Sequence, residues 1–135
     1  MDEAKQNLTG SPSRDTFKRR HKDLCKQFYA CDLDFVLIAK EPYRIISFLD
    51  YKKLRENITF SEVIAYNILK QIAPVYIVRG KDPEKGPFVV WEFKNGDPKP
   101  DPPTVELELI KQCETWAVLE IWEMELRNSS FYRRQ

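Results

Sequence analysis

Two short apolar runs with a proline between them constrain the fold of this chain more than any other feature. The first run is Phe35–Ala39, the second is Ile45–Leu49, and the polar connection between them contains Pro42. Short runs of β-branched and aromatic residues separated by a proline turn are typical of a β-hairpin. The sequence therefore predicts two antiparallel strands in this region.

Charged residues lie at the open end of this predicted hairpin. Asp34 precedes the first strand, and Asp50 and Lys52 follow the apolar part of the second. Antiparallel pairing brings all three to the same end, and Asp50 and Lys52 project from one face because they are two residues apart. Mg²⁺ commonly binds through one or two carboxylates together with phosphate and water. The pattern therefore predicts a site for a divalent metal and a phosphate.

The order of an aspartate, a hairpin and then Asp-x-Lys resembles the PD-(D/E)xK nuclease superfamily, which includes type II restriction enzymes, Holliday junction resolvases and small phage or prophage nucleases. Asp34 matches the first acid of that motif, and Leu33 stands where the superfamily has its proline. The resemblance covers about residues 14–94. It implies an α/β protein with the restriction-endonuclease-like three-layer fold, in which a mixed central β-sheet is flanked by helices.

The same resemblance implies roles for individual residues. Asp34, Asp50 and Lys52 are the expected catalytic residues. The two aspartates and the backbone carbonyl of Tyr51 are expected to bind Mg²⁺ or Mn²⁺, while Lys52 assists the attacking water. The expected activity is metal-dependent hydrolysis of phosphodiester bonds in DNA. Gln71 matches an accessory glutamine of some members, although a solvated residue on the helix surface is the alternative interpretation.

Two residues before the hairpin are further candidates for the site. Asp32 alternates with Asp34 and is either a second acid beside the site or a turn residue that caps the loop after the preceding helix. His21 belongs to an apolar helical stripe, which favours a partly buried histidine. A contact from His21 to phosphate or to an active-site carboxylate is the functional alternative. The rest of this stripe consists of Phe17, Leu24 and Phe28.

The net charge of +1 conceals a basic segment near the N-terminus, between Arg14 and Lys26. A local basic face attracts phosphate even when the total charge is close to zero. We therefore expect nucleic acid, and DNA in particular, as the partner. The expected contacts are Arg19, Arg20 and Lys22, together with Arg79, which follows a predicted strand on the side of the sheet where ligands commonly bind.

The chain after the hairpin predicts the remaining elements. Thr59 and Glu62 form a capping-box pattern, so a helix is expected from there to about Ala73. Its expected core contacts are Phe60, Val63, Ile64 and Ile68. The expected strands are a buried parallel strand at Val75–Val78, a strand at Phe88–Phe93 and an edge strand at Thr104–Ile110. A last helix is expected over Glu114–Arg127, with a core stripe of Trp116, Leu119, Trp122 and Leu126.

A chain of 135 residues suits one domain. We expect a flexible lead over residues 1–12, the domain over 13–128 and a tail over 129–135. No apolar run approaches the roughly 20 residues of a membrane helix, no secretory signal is recognisable, and three cysteines fit reduced thiols. The expectations are therefore a cytoplasmic protein without a membrane partner and, by analogy with the superfamily, a homodimer.

Two other classes of function remain open at this point. In the first, the chain is a catalytically inactive nucleic-acid-binding or protein-interaction module on the same fold, and Asp50 and Lys52 form a surface ion pair worth at most about 1 kcal/mol. In the second, the chain is a structural or inhibitory small viral protein that uses its aromatic C-terminal helix as an interface. A glycine-rich phosphate loop is absent, and a single histidine argues against histidine-based triads and multi-histidine zinc sites.

Overall fold

The computed structural model describes residues 33–133, with side chains described as far as residue 128. Five strands and two helices follow one another along this part of the chain. They are β1 (Phe35–Ala39), β2 (Arg44–Lys53), α1 (Phe60–Leu69), β3 (Val75–Gly80), β4 (Phe88–Asp97), β5 (Thr104–Cys113) and α2 (Trp116–Arg133). The expectations for Asp32, His21, Arg19, Arg20 and Lys22 fall outside the described residues.

The five strands form one sheet in the order β1-β2-β3-β4-β5. β2 and β3 are parallel, and each of the other neighbouring pairs is antiparallel. The segment that contains α1 connects the two parallel strands, as a parallel pair requires a crossover. The prediction of an α/β protein with a mixed sheet is confirmed, as are the hairpin and the parallel strand that follows it.

The two helices cover opposite faces of the sheet. Successive residues of β3 alternate between these faces, so Val75 and Ile77 pack in the core beneath α1 while Tyr76 and Val78 pack beneath α2. Each face thus has its own apolar cluster. The described domain consists of three layers, with the sheet in the middle.

An irregularity in β2 sets the direction of its side chains. Leu37 of β1 pairs with Ser47, but the next residue, Ile38, pairs with Ile45. Ile46 is therefore an extra residue, and such a bulge changes which face the following side chains occupy. After it, Phe48 joins the core beneath α1. Asp50 and Lys52 follow with the same two-residue period, and both are buried.

Helix α1 begins as predicted and ends earlier. The Thr59 side chain accepts from the Glu62 amide, and the Glu62 side chain accepts from the Thr59 amide, which completes the capping box. The helix was expected to reach about Ala73, but it ends at Leu69 and is followed by turns. The amide of Ile72 donates to the carbonyl oxygen of Leu69 at 2.9 Å, which closes one of these turns.

The buried stripe of α1 differs from the prediction. Val63 and Tyr66 are completely buried, whereas Phe60 and Ile68 are 40% and 59% exposed. The prediction for Phe60 and Ile68 was wrong because two apolar stripes run along this helix. The helix turns the one with Val63 and Tyr66 toward the sheet.

Helix α2 packs by most of its predicted stripe. Leu119, Trp122 and Leu126 are buried, and the ring of Trp122 meets that of Tyr76 edge to face at 5.0 Å. Trp116 was expected in the core, but it is 48% exposed at the first turn of the helix. Among residues 33–133, no helix has the length and apolar composition that crossing a bilayer requires.

Candidate active site at the end of the hairpin

Two aspartates meet where β1 begins. Phe35 is the first residue of β1 and pairs with Leu49, so β2 continues beyond its antiparallel neighbour. The Asp34 carboxylate lies beside the part of β2 that has no partner residue in β1. There its Oδ2 accepts a hydrogen bond from the Tyr51 amide at 2.8 Å. The Asp34 amide donates to Oδ1 of Asp50 at 3.0 Å. This short segment places the exposed Asp34 beside the buried Asp50.

Asp50 is a carboxyl group held in an apolar environment. It is 3% exposed, and the Tyr66 hydroxyl donates a hydrogen bond to its Oδ2. Burial, assisted by the charge of Asp34, raises the pKa of Asp50 from 3.8 to about 7. The hydrogen bonds from Tyr66 and the Asp34 amide, and the charge of Lys52, oppose this rise in pKa. Asp50 is therefore a carboxyl group whose ionised form is poorly compensated by the residues around it.

Lys52 is buried beside α1. Its side chain is 5% exposed and forms an ion pair with Glu62, while Glu56 Oε2 lies 3.5 Å from its Nζ. Burial alone would lower the pKa of Lys52. The hydrogen bond and charge of Glu62, together with the charges of Glu56 and Asp50, raise that pKa above its ordinary value. Lys52 is accordingly an ammonium group and a poor proton acceptor.

Helix α1 supplies the partners of both β2 residues. Glu62 and Tyr66 are four residues apart, so they lie on the same face of the helix. One oxygen of Glu62 accepts from the Thr59 amide at 2.9 Å while the other pairs with Lys52. Sequence reasoning missed Tyr66 and used Glu62 only as a capping residue. The spacing of Val63 and Tyr66 on one stripe was the signal that could have found Tyr66.

Two other candidates lie away from the aspartates. Gln71 is exposed in the turns after α1, where its amide donates to the carbonyl oxygen of Ile68. Arg79 crosses to the loop after β2, and its Nη1 lies 2.9 Å from the Lys53 carbonyl oxygen and 2.7 Å from that of Glu56. This guanidinium group holds the loop that carries Glu56 beside Lys52.

The chemistry of the donors fits a hard divalent cation. Residues 33–133 contain no group of three or more histidine, cysteine or acidic side chains arranged around a common metal position. Asp34 and Asp50 nevertheless offer two carboxylates, and each Asp50 oxygen with one hydrogen bond keeps a free lone pair. Mg²⁺ requires few protein ligands because phosphate and water complete its shell. Two carboxylates are ligands of the kind that such a cation uses.

Compared with protein-family models, curated proteins and solved structures, the chain matches none of them. What the protein does is therefore inferred from its residues and their geometry.

Proposed function

We propose that this protein is a metal-dependent nuclease with a restriction-endonuclease-like fold that hydrolyses phosphodiester bonds of DNA. The observation that carries the proposal is the pair Asp34 and Asp50, with the Lys52 ammonium on the same strand two residues from Asp50. Asp34 is exposed, so a phosphate can reach its carboxylate from solvent, whereas Asp50 is buried behind it.

The topology around this pair supports the proposal. The hairpin β1–β2 is followed by α1 and then by β3, which is parallel to β2. The PD-(D/E)xK core has the same order of hairpin, helix and parallel strand. Asp34 precedes β1, and Asp50 and Lys52 lie on β2, which supports the comparison with this motif.

The buried carboxyl supports a cation at this position. Burial and the neighbouring Asp34 charge disfavour ionised Asp50, and a bound cation would compensate both effects. Asp34, Asp50 and the carbonyl of Tyr51 would hold the ion. A divalent cation at such a site neutralises charge on the scissile phosphate and lowers the pKa of a water molecule.

The chain's own residues have separate tasks in the proposed reaction. Water adds to phosphorus through its oxygen and loses a proton to solvent, while the P–O bond to the leaving nucleotide breaks and that oxygen takes up a proton. Lys52 is an ammonium group, so its task is to stabilise negative charge that develops on the phosphate. Glu62 and Tyr66 keep Lys52 and Asp50 in place.

A second candidate is a nucleic-acid-binding module without catalysis. The observation that favours it is the ion pair between Lys52 and Glu62, because this pair already satisfies the charge that the nuclease would direct at phosphate. In this case the Asp50–Tyr66 and Lys52–Glu62 contacts serve to join α1 to the sheet. Binding would then be sensitive to salt and independent of divalent metal.

A cleavage assay separates the two functions. Linear duplex, single-stranded and branched DNA, and RNA, are incubated with Mg²⁺, Mn²⁺ or chelator. Wild type is compared with Asp50→Asn and Lys52→Met, and with the exposed controls Asp101→Asn and Lys85→Met. The nuclease predicts metal-dependent cutting that both site variants lose and both controls retain. Folded wild-type protein that cuts none of these substrates contradicts it and supports the binding module.

A further inference from the structure

A cavity of about 370 Å³ lies between α2 and the sheet. Its volume is in the range of roughly 300–1,000 Å³ that is common for small-molecule sites. Most of its lining is apolar, and it includes the rings of Phe35, Phe88 and Trp116. Asp50 also lines the cavity, although its carboxyl group lies on the opposite face of the sheet, where it accepts from Tyr66.

The aromatic rings at this cavity are accessible. Phe35 is 60% exposed and Trp116 is 48% exposed. Phe88 is buried and meets the Trp116 ring edge to face, with the ring centroids 6.0 Å apart. Exposed aromatic faces supported by a buried ring are suited to stacking with a flat ligand.

The chain direction connects the cavity with the aspartates. Asp34 and Phe35 are consecutive, and consecutive residues at a strand project to opposite faces. Asp50 follows Leu49 in the same way, and Leu49 lines the cavity. The aspartates and the cavity therefore lie on opposite faces at the same end of the edge strand β1, and a nucleic-acid strand with a phosphate beside Asp34 would have to cross this edge to place a neighbouring base in the cavity.

Glu123 adds a polar group to the lining. It lies on α2, where burial and the charge of Glu120 raise the pKa of its carboxyl group. Its carboxyl group has no hydrogen-bond or ion-pair partner among the side chains described, residues 33–128. A carboxylate accepts hydrogen bonds from the exocyclic amino group of a base, as glutamate does with cytosine. The cavity thus offers both stacking faces and an acceptor.

We propose that this cavity binds one unpaired nucleobase, so that the substrate of the site is single-stranded or locally unpaired nucleic acid. The inference rests on the proposed nuclease function, because that function places a phosphate at Asp34. A base within an intact duplex is stacked on both faces and cannot enter, whereas an unpaired base can stack on aromatic side chains. The affinity for a single strand should therefore depend on Phe35 and Trp116.

The test measures binding by the full chain in chelator, where cutting cannot occur. A single-stranded oligonucleotide that contains one 2-aminopurine is titrated by fluorescence, and the duplex of the same sequence by anisotropy. The variants are Trp116→Ala and Phe35→Ala, with Tyr43→Ala as a control because Tyr43 is an exposed aromatic outside the cavity. Phe35 is outside both apolar cores, so its variant tests the cavity even if Trp116→Ala fails to fold.

We expect each cavity variant to weaken single-strand binding by roughly 5- to 150-fold, which corresponds to one lost base stack. Duplex binding and the Tyr43 control should remain unchanged. Single-strand affinity equal to wild type in Phe35→Ala would overturn the cavity proposal, and metal-dependent cutting that needs Asp50 would then leave the nuclease standing. If the cavity variants lose single-strand binding and the wild-type protein cuts no substrate, the cavity proposal stands and the nuclease proposal fails.

Discussion

The Tyr66 hydroxyl on α1 donates a hydrogen bond to Oδ2 of Asp50 on β2, and both side chains are buried. Four residues earlier on the same helix, Glu62 pairs with Lys52. The capping box at Thr59 fixes where the helix starts. It therefore fixes which residues of β2 lie opposite Glu62 and Tyr66. The helix and the strand are thus joined through the residues to which we assign catalysis.

Tyr66→Phe removes the hydroxyl and leaves the ring in place. Because hydrogen bonds to charged groups contribute roughly 1.5–3 kcal/mol, we expect a loss of that size in the free energy of unfolding at about pH 8. The loss should be smaller at about pH 5, where Asp50 is protonated. Urea unfolding at both pH values measures it, with the exposed Tyr43→Phe as the matched control. Equal losses at both pH values would contradict the assigned role of Tyr66.

The pKa of Asp50 makes stability depend on pH. The folded-state pKa of about 7 lies above the ordinary 3.8, so the folded protein binds a proton more tightly than the unfolded chain does. The resulting stabilisation is complete below about pH 4 and is lost as the pH rises through about 7, by up to about 4 kcal/mol. Asp50→Asn should flatten this slope between about pH 4 and pH 8. Identical slopes for wild type and variant in urea titrations would show that Asp50 is not the group responsible.

Variants of the buried ion pair between Lys52 and Glu62 distinguish an effect on stability from an effect on catalysis. Lys52→Met leaves Glu62 without its cation, and breaking a buried pair commonly costs about 3–5 kcal/mol. The double variant Lys52→Met with Glu62→Met replaces both charges by apolar groups and should recover part of that stability, because Glu62→Met also removes the bond from the Thr59 amide that completes the capping box. Chemical denaturation of the four proteins in this cycle gives the coupling energy. Activity in the stable double variant would exclude Lys52 from catalysis.

Arg79 has a structural contact that competes with its predicted role in binding. Its guanidinium donates to the carbonyl oxygens of Lys53 and Glu56, so Arg79→Ala should destabilise the protein by about 1–3 kcal/mol. If Arg79 only holds this loop, the dependence of DNA affinity on salt stays as in wild type. If Arg79 also contacts phosphate, the slope of log affinity against log salt concentration decreases in magnitude by about one. Arg127→Ala, at an exposed arginine of α2, is the control.

The hairpin was predictable because its signals are local. Two apolar runs and a proline are sufficient to define β1 and β2, and a two-residue period places Asp50 and Lys52 on one face. The bulge at Ile46 was not predictable, yet it decides on which face of the sheet Asp50 and Lys52 lie. It depends on the pairing of two strands rather than on the residues of one.

Tyr66 was not predictable with the same ease because α1 carries two apolar stripes. One contains Phe60, Ile64 and Ile68, and the other contains Val63, Tyr66 and Leu69. Hydrophobicity alone favours the first, but the second meets the sheet because Tyr66 finds both an apolar pocket and a carboxylate there. Tertiary contacts therefore decide the orientation of this helix. The stripe offers Tyr66 as a core residue, but its hydrogen bond to Asp50 follows only from the orientation of the helix.

Metal titration shows whether Asp34 and Asp50 together bind a divalent cation. Mn²⁺ is titrated into the full chain at about pH 8, where Asp50 is ionised, and free Mn²⁺ is followed by electron paramagnetic resonance. Replacing even a neighbour of a metal ligand commonly costs roughly 10- to 100-fold in affinity, so Asp34→Asn and Asp50→Asn should each cost at least as much. Asp101→Asn should bind as wild type does. Mn²⁺ binding that is the same in wild type, Asp34→Asn and Asp50→Asn would contradict the account.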